Sequence, residues 1–355
     1  MDRREFLITS GGAAVAATSS AAAHAEAVDT HAHSKAGGGI ALKLVMPWAD
    51  TPQGPADSVR RLARRVETMT DHRYRIEVAS GADSSEAHLT HGSAHDFATL
   101  HPAFAYFAGL PGPTGLAAGD LAHWMTVGGG QMLWDDLAGQ HGWKSLLVGH
   151  MGEAPPLWSR APITRLGDLS GQCIAAPGLG ADVARALGAE AMRLAPGEVS
   201  TALDAGSVYA AEAGGLLPSL ASGIPRVARH ATGSGLNGRG TALSLNVRLS
   251  AWESLSEADQ AILEAAAAEE FQSSLAEARA HDRLARRVME SSFGVVFAPW
   301  PVDVAEALER VAEATIAHVA GHDTIAARID QSYMAFRAAL SGTIPPRRAT
   351  PAPIA

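Results

Sequence analysis

The sequence predicts an α/β protein made of two units, and three observations carry that prediction. Residues 40–100 alternate strand-like and helix-like patterns. The stretch "DLSGQCIAAPGLGADVARALGAE", residues 168–190, restates the plan as an apolar run, a Pro177-Gly178-Gly180 stop and an Ala-rich helical period. After Asn246 the chain turns to long helical periods.

Taken in order, "IALKLVMPWAD" (40–50) reads as a first strand closed by Pro47. In "ADSVRRLARRVETMTD" (56–71), Val59, Leu62, Val66 and Met69 share one helical face, with arginines opposite. "YRIEVAS" (74–80) alternates as a second strand. The next stretch predicts a short helix, a stop at Gly92 and a third strand near Asp96–Leu100. "DLAHWMTVGGGQMLWDDLAGQHG" reads as two helices broken at Gly128-Gly129-Gly130. "WKSLLVGHMG" and "PPLWSRAPI" predict two strands that cross into the second unit. Ser256 and Asp259 form an N-terminal capping signal for a helix to about Ser291. Further helices are expected at 302–319 and 323–340, before the Pro-rich tail 341–355.

Composition sets the outer bounds. The 355 residues are 47% hydrophobic and 18% charged, which is ordinary for a soluble chain with more than one core. A formal net charge of -9 leaves no broad basic field for nucleic acid. The single cysteine, Cys173, excludes an internal disulfide and lies in an apolar strand, where a thiol packs as a small hydrophobe. The start, "MDRREFLITSGGAAVAATSSAAAHAEA", has Arg3-Arg4 before Phe6-Leu7 and ends in an Ala23-x-Ala25 cleavage pattern. Residues 1–25 therefore read as a twin-arginine signal peptide, residues 26–39 as a flexible leader, and the mature protein as periplasmic.

No catalytic constellation emerges. There is no G-x-S-x-G elbow and no H-E-x-x-H, and the three glycines at 128–130 follow a helix, which is wrong for dinucleotide binding. His31-x-His33 after Asp29 leaves one enzymatic alternative, a secreted metal-dependent hydrolase using His31, His33 and Glu212.

The motifs, in their order, resemble the solute-binding proteins of tripartite ATP-independent periplasmic (TRAP) transporters, nearest the branch that binds alpha-keto acids. The pieces are "LARRVETMTDHRYRIEVAS", "HWMTVGGG", "LWSRAPITRLGDLSGQCIAAPG", "TALDAGSVYAAEA", "LSLNVRLSAWESLSEADQAIL" and "SYMAFRAAL", together spanning about 40 to 340. The resemblance implies a two-lobed, type II-like α/β fold with long C-terminal helices. Lobe I would be about 40–150 and 247–340, and lobe II about 151–246. It implies hinge closure on a small organic solute, delivery to separate membrane subunits, and no catalysis.

The site departs from the family. The family's strand after "DLSG" ends in an arginine that forks onto the ligand carboxylate; here the matching residue is Ala175. The family's tryptophan after the glutamate of "AAEA" is Ala213. Trp158, Arg160, Glu212 and Asn246 remain as ligand candidates, with Trp48 and Glu153 beside them. Arg160 would be a relocated anchor for an acid. For a neutral or cationic ligand the expected cleft offers Trp48, His101, Tyr106, Glu153, Glu212 and Asn246. The resemblance also implies that Glu212 ligates a bound cation; no other cofactor is expected. The early end after "SYMAFRAAL" favours a monomer over the subunit-exchanged dimer of the keto-acid branch. A non-transport adaptor on the same scaffold is the remaining alternative.

Overall fold

The computed structural model describes residues 39–48, 54–81 and 84–342. The expected signal peptide, His31 and His33, the leader up to Gly38 and the tail from Thr343 lie outside the described residues.

In chain order the strands are β1 (Ile40–Met46), β2 (Tyr74–Ser80), β3 (Leu89–Gly92), β4 (Trp143–His150), β5 (Leu157–Ser159), β6 (Cys173–Ala175), β7 (Glu190–Met192), β8 (Ala210–Glu212), β9 (His230–Thr232), β10 (Ala242–Arg248) and β11 (Val296–Ala298). They form two sheets. The first runs β2-β1-β3-β10-β4 and the second β11-β9-β5-β8-β6-β7. Each sheet is parallel apart from one strand, β10 in the first and β5 in the second. Each is the core of one lobe.

In the first lobe, β1 pairs with β2 in parallel through the helix Pro55–Met69. Pro55 suits the first helical turn, where its missing N–H is not needed. Val59, Leu62 and Val66 pack on Leu42, Leu44 and Met46, as the helical period requires. The arginines opposite are not a solvated face. Arg61 and Arg65 reach Glu270, which is fully buried, at 2.8 and 2.9 Å, and Ser58 Oγ donates to the same carboxylate at 2.7 Å.

Two expectations need correction. The third strand is β3, at Leu89–Gly92, not Asp96–Leu100. Ser93 and Asp96 cap each other's backbone, so a tight helical turn forms at Ala94–Phe97 where a strand was expected. The lobe division at 247 also shifts. β11 lies beyond that point but pairs with β9 in the second sheet, and Val304, Ala307 and Leu308 join the second lobe's core.

The expected long helix is Glu257–Phe293, with Ser256 Oγ accepting from Asp259 N–H. It serves both lobes. Leu263, Ala266 and Ala267 pack under the first sheet, whereas Met289 packs under the second.

Candidate functional site

In α/β sheets ligands bind beyond the carboxyl ends of the strands. The registers put those ends together here. On the first sheet they present Trp48 after β1, Ser93 and His95 after β3, and His150 at the end of β4. On the second they present Pro177 and Gly178 after β6, Arg193 after β7, Glu212 ending β8, and Gly233 after β9. The two edges meet. A Cβ built on Gly178 would lie 2.0 Å from His95 Nδ1, and Gly112 N–H donates to Leu236 O at 3.0 Å. The lobes are closed on each other.

The bare strand end is thus covered rather than equipped. Ala175 is buried among the second lobe's apolar residues, and its neighbour loop meets the imidazole of His95. His95 is 2% exposed, and among the described residues neither ring nitrogen has a partner. Burial, with Arg193 adding to it, pushes its pKa down to about 4. His91 and His150, also buried, are depressed by desolvation to about 3 and about 4.

Glu212 is a buried hub. Its Oε2 accepts from the N–H groups of Leu236 (2.7 Å) and Asn237 (3.0 Å), and its Oε1 from Asn237 Nδ2 (3.1 Å). Asn237, fully buried, also donates to Pro177 O and accepts from Gly180 N–H. Burial raises the Glu212 pKa, and the three donors oppose that shift. Both carboxylate oxygens are engaged with donors, and no group of three metal-ligating side chains containing Glu212 occurs among the described residues. The expectation of Glu212 as a cation ligand therefore gains no support from its surroundings.

The other candidates scatter. Trp158 is fully buried in the second lobe's core, edge-on to Phe297 at 6.1 Å, and is no exposed platform. Arg160 follows β5 at the opposite end from Leu157, which pairs with Glu212. At about 3.3 Å per residue it sits roughly 10 Å from the closed edge, so it does not fit a relocated anchor. Its guanidinium lies over Gly206. Asn246 is not at a strand end. It accepts from Ser145 Oγ (2.8 Å) and donates to Thr90 Oγ1 (3.3 Å), a polar row across three strands. Glu153 forms a two-point ion pair with Arg279 at 3.0 and 3.1 Å, and that pairing lowers its pKa. Trp48 is at the edge, where its Nε1 donates to His91 Nδ1 at 2.8 Å. Tyr106 donates to Asp330 Oδ1 inside the first lobe.

Among the described residues one histidine–carboxylate group has ligand atoms within 4.8 Å of one another: His101, His322 and Asp323. His101 Nδ1 accepts from Ala103 N–H at 3.2 Å, so Nε2 carries the hydrogen and donates to Asp323 Oδ2 at 2.9 Å. A metal would need that nitrogen bare. The group is a latch onto the last helix, Thr324–Ser341, which Asp323 caps.

Sequence reasoning missed His95, His150, Asn237 and Arg193. Arg193 had a findable signal: it directly follows β7, the parallel neighbour of the strand that lacks the arginine. The two histidines had none, being two among fifteen.

The architecture matches known proteins. A TRAP transporter solute-binding protein from Bordetella bronchiseptica, with copurified calcium and picolinate bound, superposes at a TM-score of 0.81 with 23% identity, over 86% of this chain and 93% of that one. One from Colwellia psychrerythraea with bound calcium and pyruvate gives 0.79 and 22%, over 86% and 96%. The monocarboxylate 2-oxoacid-binding periplasmic protein of a Nostoc strain is 24% identical over 351 residues, 95% of this chain and 94% of its own. The profile of the bacterial extracellular solute-binding proteins, family 7, matches residues 49–320, and the chain belongs to that family as a two-lobed solute-binding protein.

Proposed function

We propose that the protein is the periplasmic receptor of a TRAP transporter, that it works as a monomer without catalysis, and that it holds its small organic solute without the strand-end arginine of the keto-acid branch. One observation carries the last part. Ala175 offers no donor, and His95 of the opposite lobe is packed onto Gly178 beyond it. A buried carboxylate left without a paired charge costs several kcal/mol. An acid group on the solute would meet Arg193, which stands at the closing edge, rather than Arg160. The relatives with pyruvate, picolinate and 2-oxoacids in their names support the receptor reading.

Calorimetry tests this reading. Pyruvate is expected to bind with a dissociation constant in the millimolar range or not at all. For any acid that does bind, Arg193→Ala is expected to weaken it at least tenfold and Arg160→Ala to leave it unchanged. Micromolar pyruvate binding to the unaltered protein would return the chain to the ordinary keto-acid class.

A further inference from the structure

Where the lobes meet the long helix there is a pocket of about 40 Å³. One water needs roughly 10–15 Å³, so it holds about three atoms of water size. Both lobes and the helix line it: Ser58 and His150 from the first lobe, Leu217 from the second, and Ser274, Glu277 and Asp282 from the helix.

The polar wall is made of lone pairs. Ser58 Oγ spends its hydrogen on Glu270, and Ser274 Oγ spends its own on Phe271 O. Glu277 accepts from Arg61. Asp282 Oδ1 accepts from Leu217 N–H at 3.2 Å, and among the described residues the carboxylate has no ion-pair partner. His150 is 5% exposed, and its Nδ1 has no partner among the described residues. Burial holds its pKa down to about 4, so the ring is neutral and one of its nitrogens is an acceptor. Apart from the His150 ring, the polar side chains lining the pocket offer acceptors and a carboxylate and no free donor; the rest of the lining, including Pro55, Met151, Leu243 and Ala278, is apolar.

A wall of this kind is satisfied by a group that carries several N–H donors, a positive charge and no lone pair. We infer that the interlobe pocket seats a primary ammonium group of the transported solute, its charge on Asp282 and the Ser58 and Ser274 hydroxyl oxygens, its carbons against the apolar lining. This deepens the receptor reading and rests on it. Both lobes line the pocket, so an ammonium ion there would favour the closed form over the open one. The small volume admits –NH₃⁺ with one or two carbons and excludes a quaternary ammonium.

Thermal-shift titration at constant ionic strength tests the assignment, with methylammonium, ethylammonium, tetramethylammonium and acetate as probes. The two primary amines are expected to raise the melting temperature in a saturable way, and tetramethylammonium and acetate are not. Asp282→Asn keeps the acceptor for Leu217 N–H and should weaken the amines at least tenfold. If that variant fails to fold, Ser274→Ala should weaken them severalfold, and the ¹⁵N resonance of His150 Nδ1 should move on titration of the unaltered protein. Equal response to sodium chloride and methylammonium overturns the inference. If small acids stabilise the protein and amines do not, the ammonium site falls and the receptor reading stands. If no class of small solute stabilises it, both fall.

Discussion

Lowering the pH from 7 to 5 is expected to withdraw roughly 6 kcal/mol of stability through three buried histidines, which refuse protons that the unfolded chain accepts. His91, His95 and His150 are 1%, 2% and 5% exposed. Their pKa values fall from the free value to about 3, 4 and 4, with desolvation the leading cause in each. The sign follows directly. Above pH 6.5 both states hold neutral rings and the histidines contribute nothing. Below it the unfolded rings bind protons and the folded ones do not, so stability falls until the folded values are reached. At pH 5 each ring accounts for about 2 kcal/mol. The buried carboxyls Asp96, Glu212 and Asp282 have raised values and act in the opposite direction, so the histidine share is read by difference. Urea denaturation across this range, repeated for His95→Gln, should show the variant with a shallower slope. Parallel curves for the two proteins would overturn the assignment.

Glu212→Ala is expected to cost about 3–5 kcal/mol. It orphans three buried donors, each worth about 1–3 kcal/mol when unsatisfied, and water entering the vacated space recovers part of that. Its partners hold the Gly235–Asn237 turn against Pro177 and the start of the next helix. Glu212→Gln is expected to cost less, about 1–2 kcal/mol, since one oxygen still serves Leu236 and Asn237 while the new amide faces Asn237 Nδ2. Asn237 cannot turn over to relieve that clash without losing Pro177 and Gly180. Denaturant midpoints at pH 7 check the ranking. A loss below about 1 kcal/mol for the alanine variant would show that the turn is held by other means.

The fold was legible because it rests on local signals. Periodicity placed Val59, Leu62 and Val66 on the core face, and the Ser256–Asp259 cap placed the start of the long helix within one residue. It failed where a local competitor won, as at Ser93, whose hydroxyl and backbone turn the chain before a strand can extend. The site was far less legible. Residue type could not reveal that Asn246 lies mid-strand, that Glu153 is taken by Arg279, or that Trp158 has no exposed face. Those are facts of register and burial. The missing arginine was visible as Ala175, but what stands opposite it, His95, comes from a segment 80 residues earlier and announces itself only in three dimensions.

The helix Glu257–Phe293 determines how the molecule comes apart. Glu270 binds it to the first lobe through Arg61 and Arg65, and Asp282 to the second through Leu217 N–H. Those anchors are 12 residues apart in sequence, about 18 Å of helix. Neither lobe keeps its full core once the other releases this shared element, since Leu263 and Met289 belong to one rod and two interiors. The lobes should therefore melt as a single cooperative unit, with amide exchange along the rod slowed to the same limit at both ends.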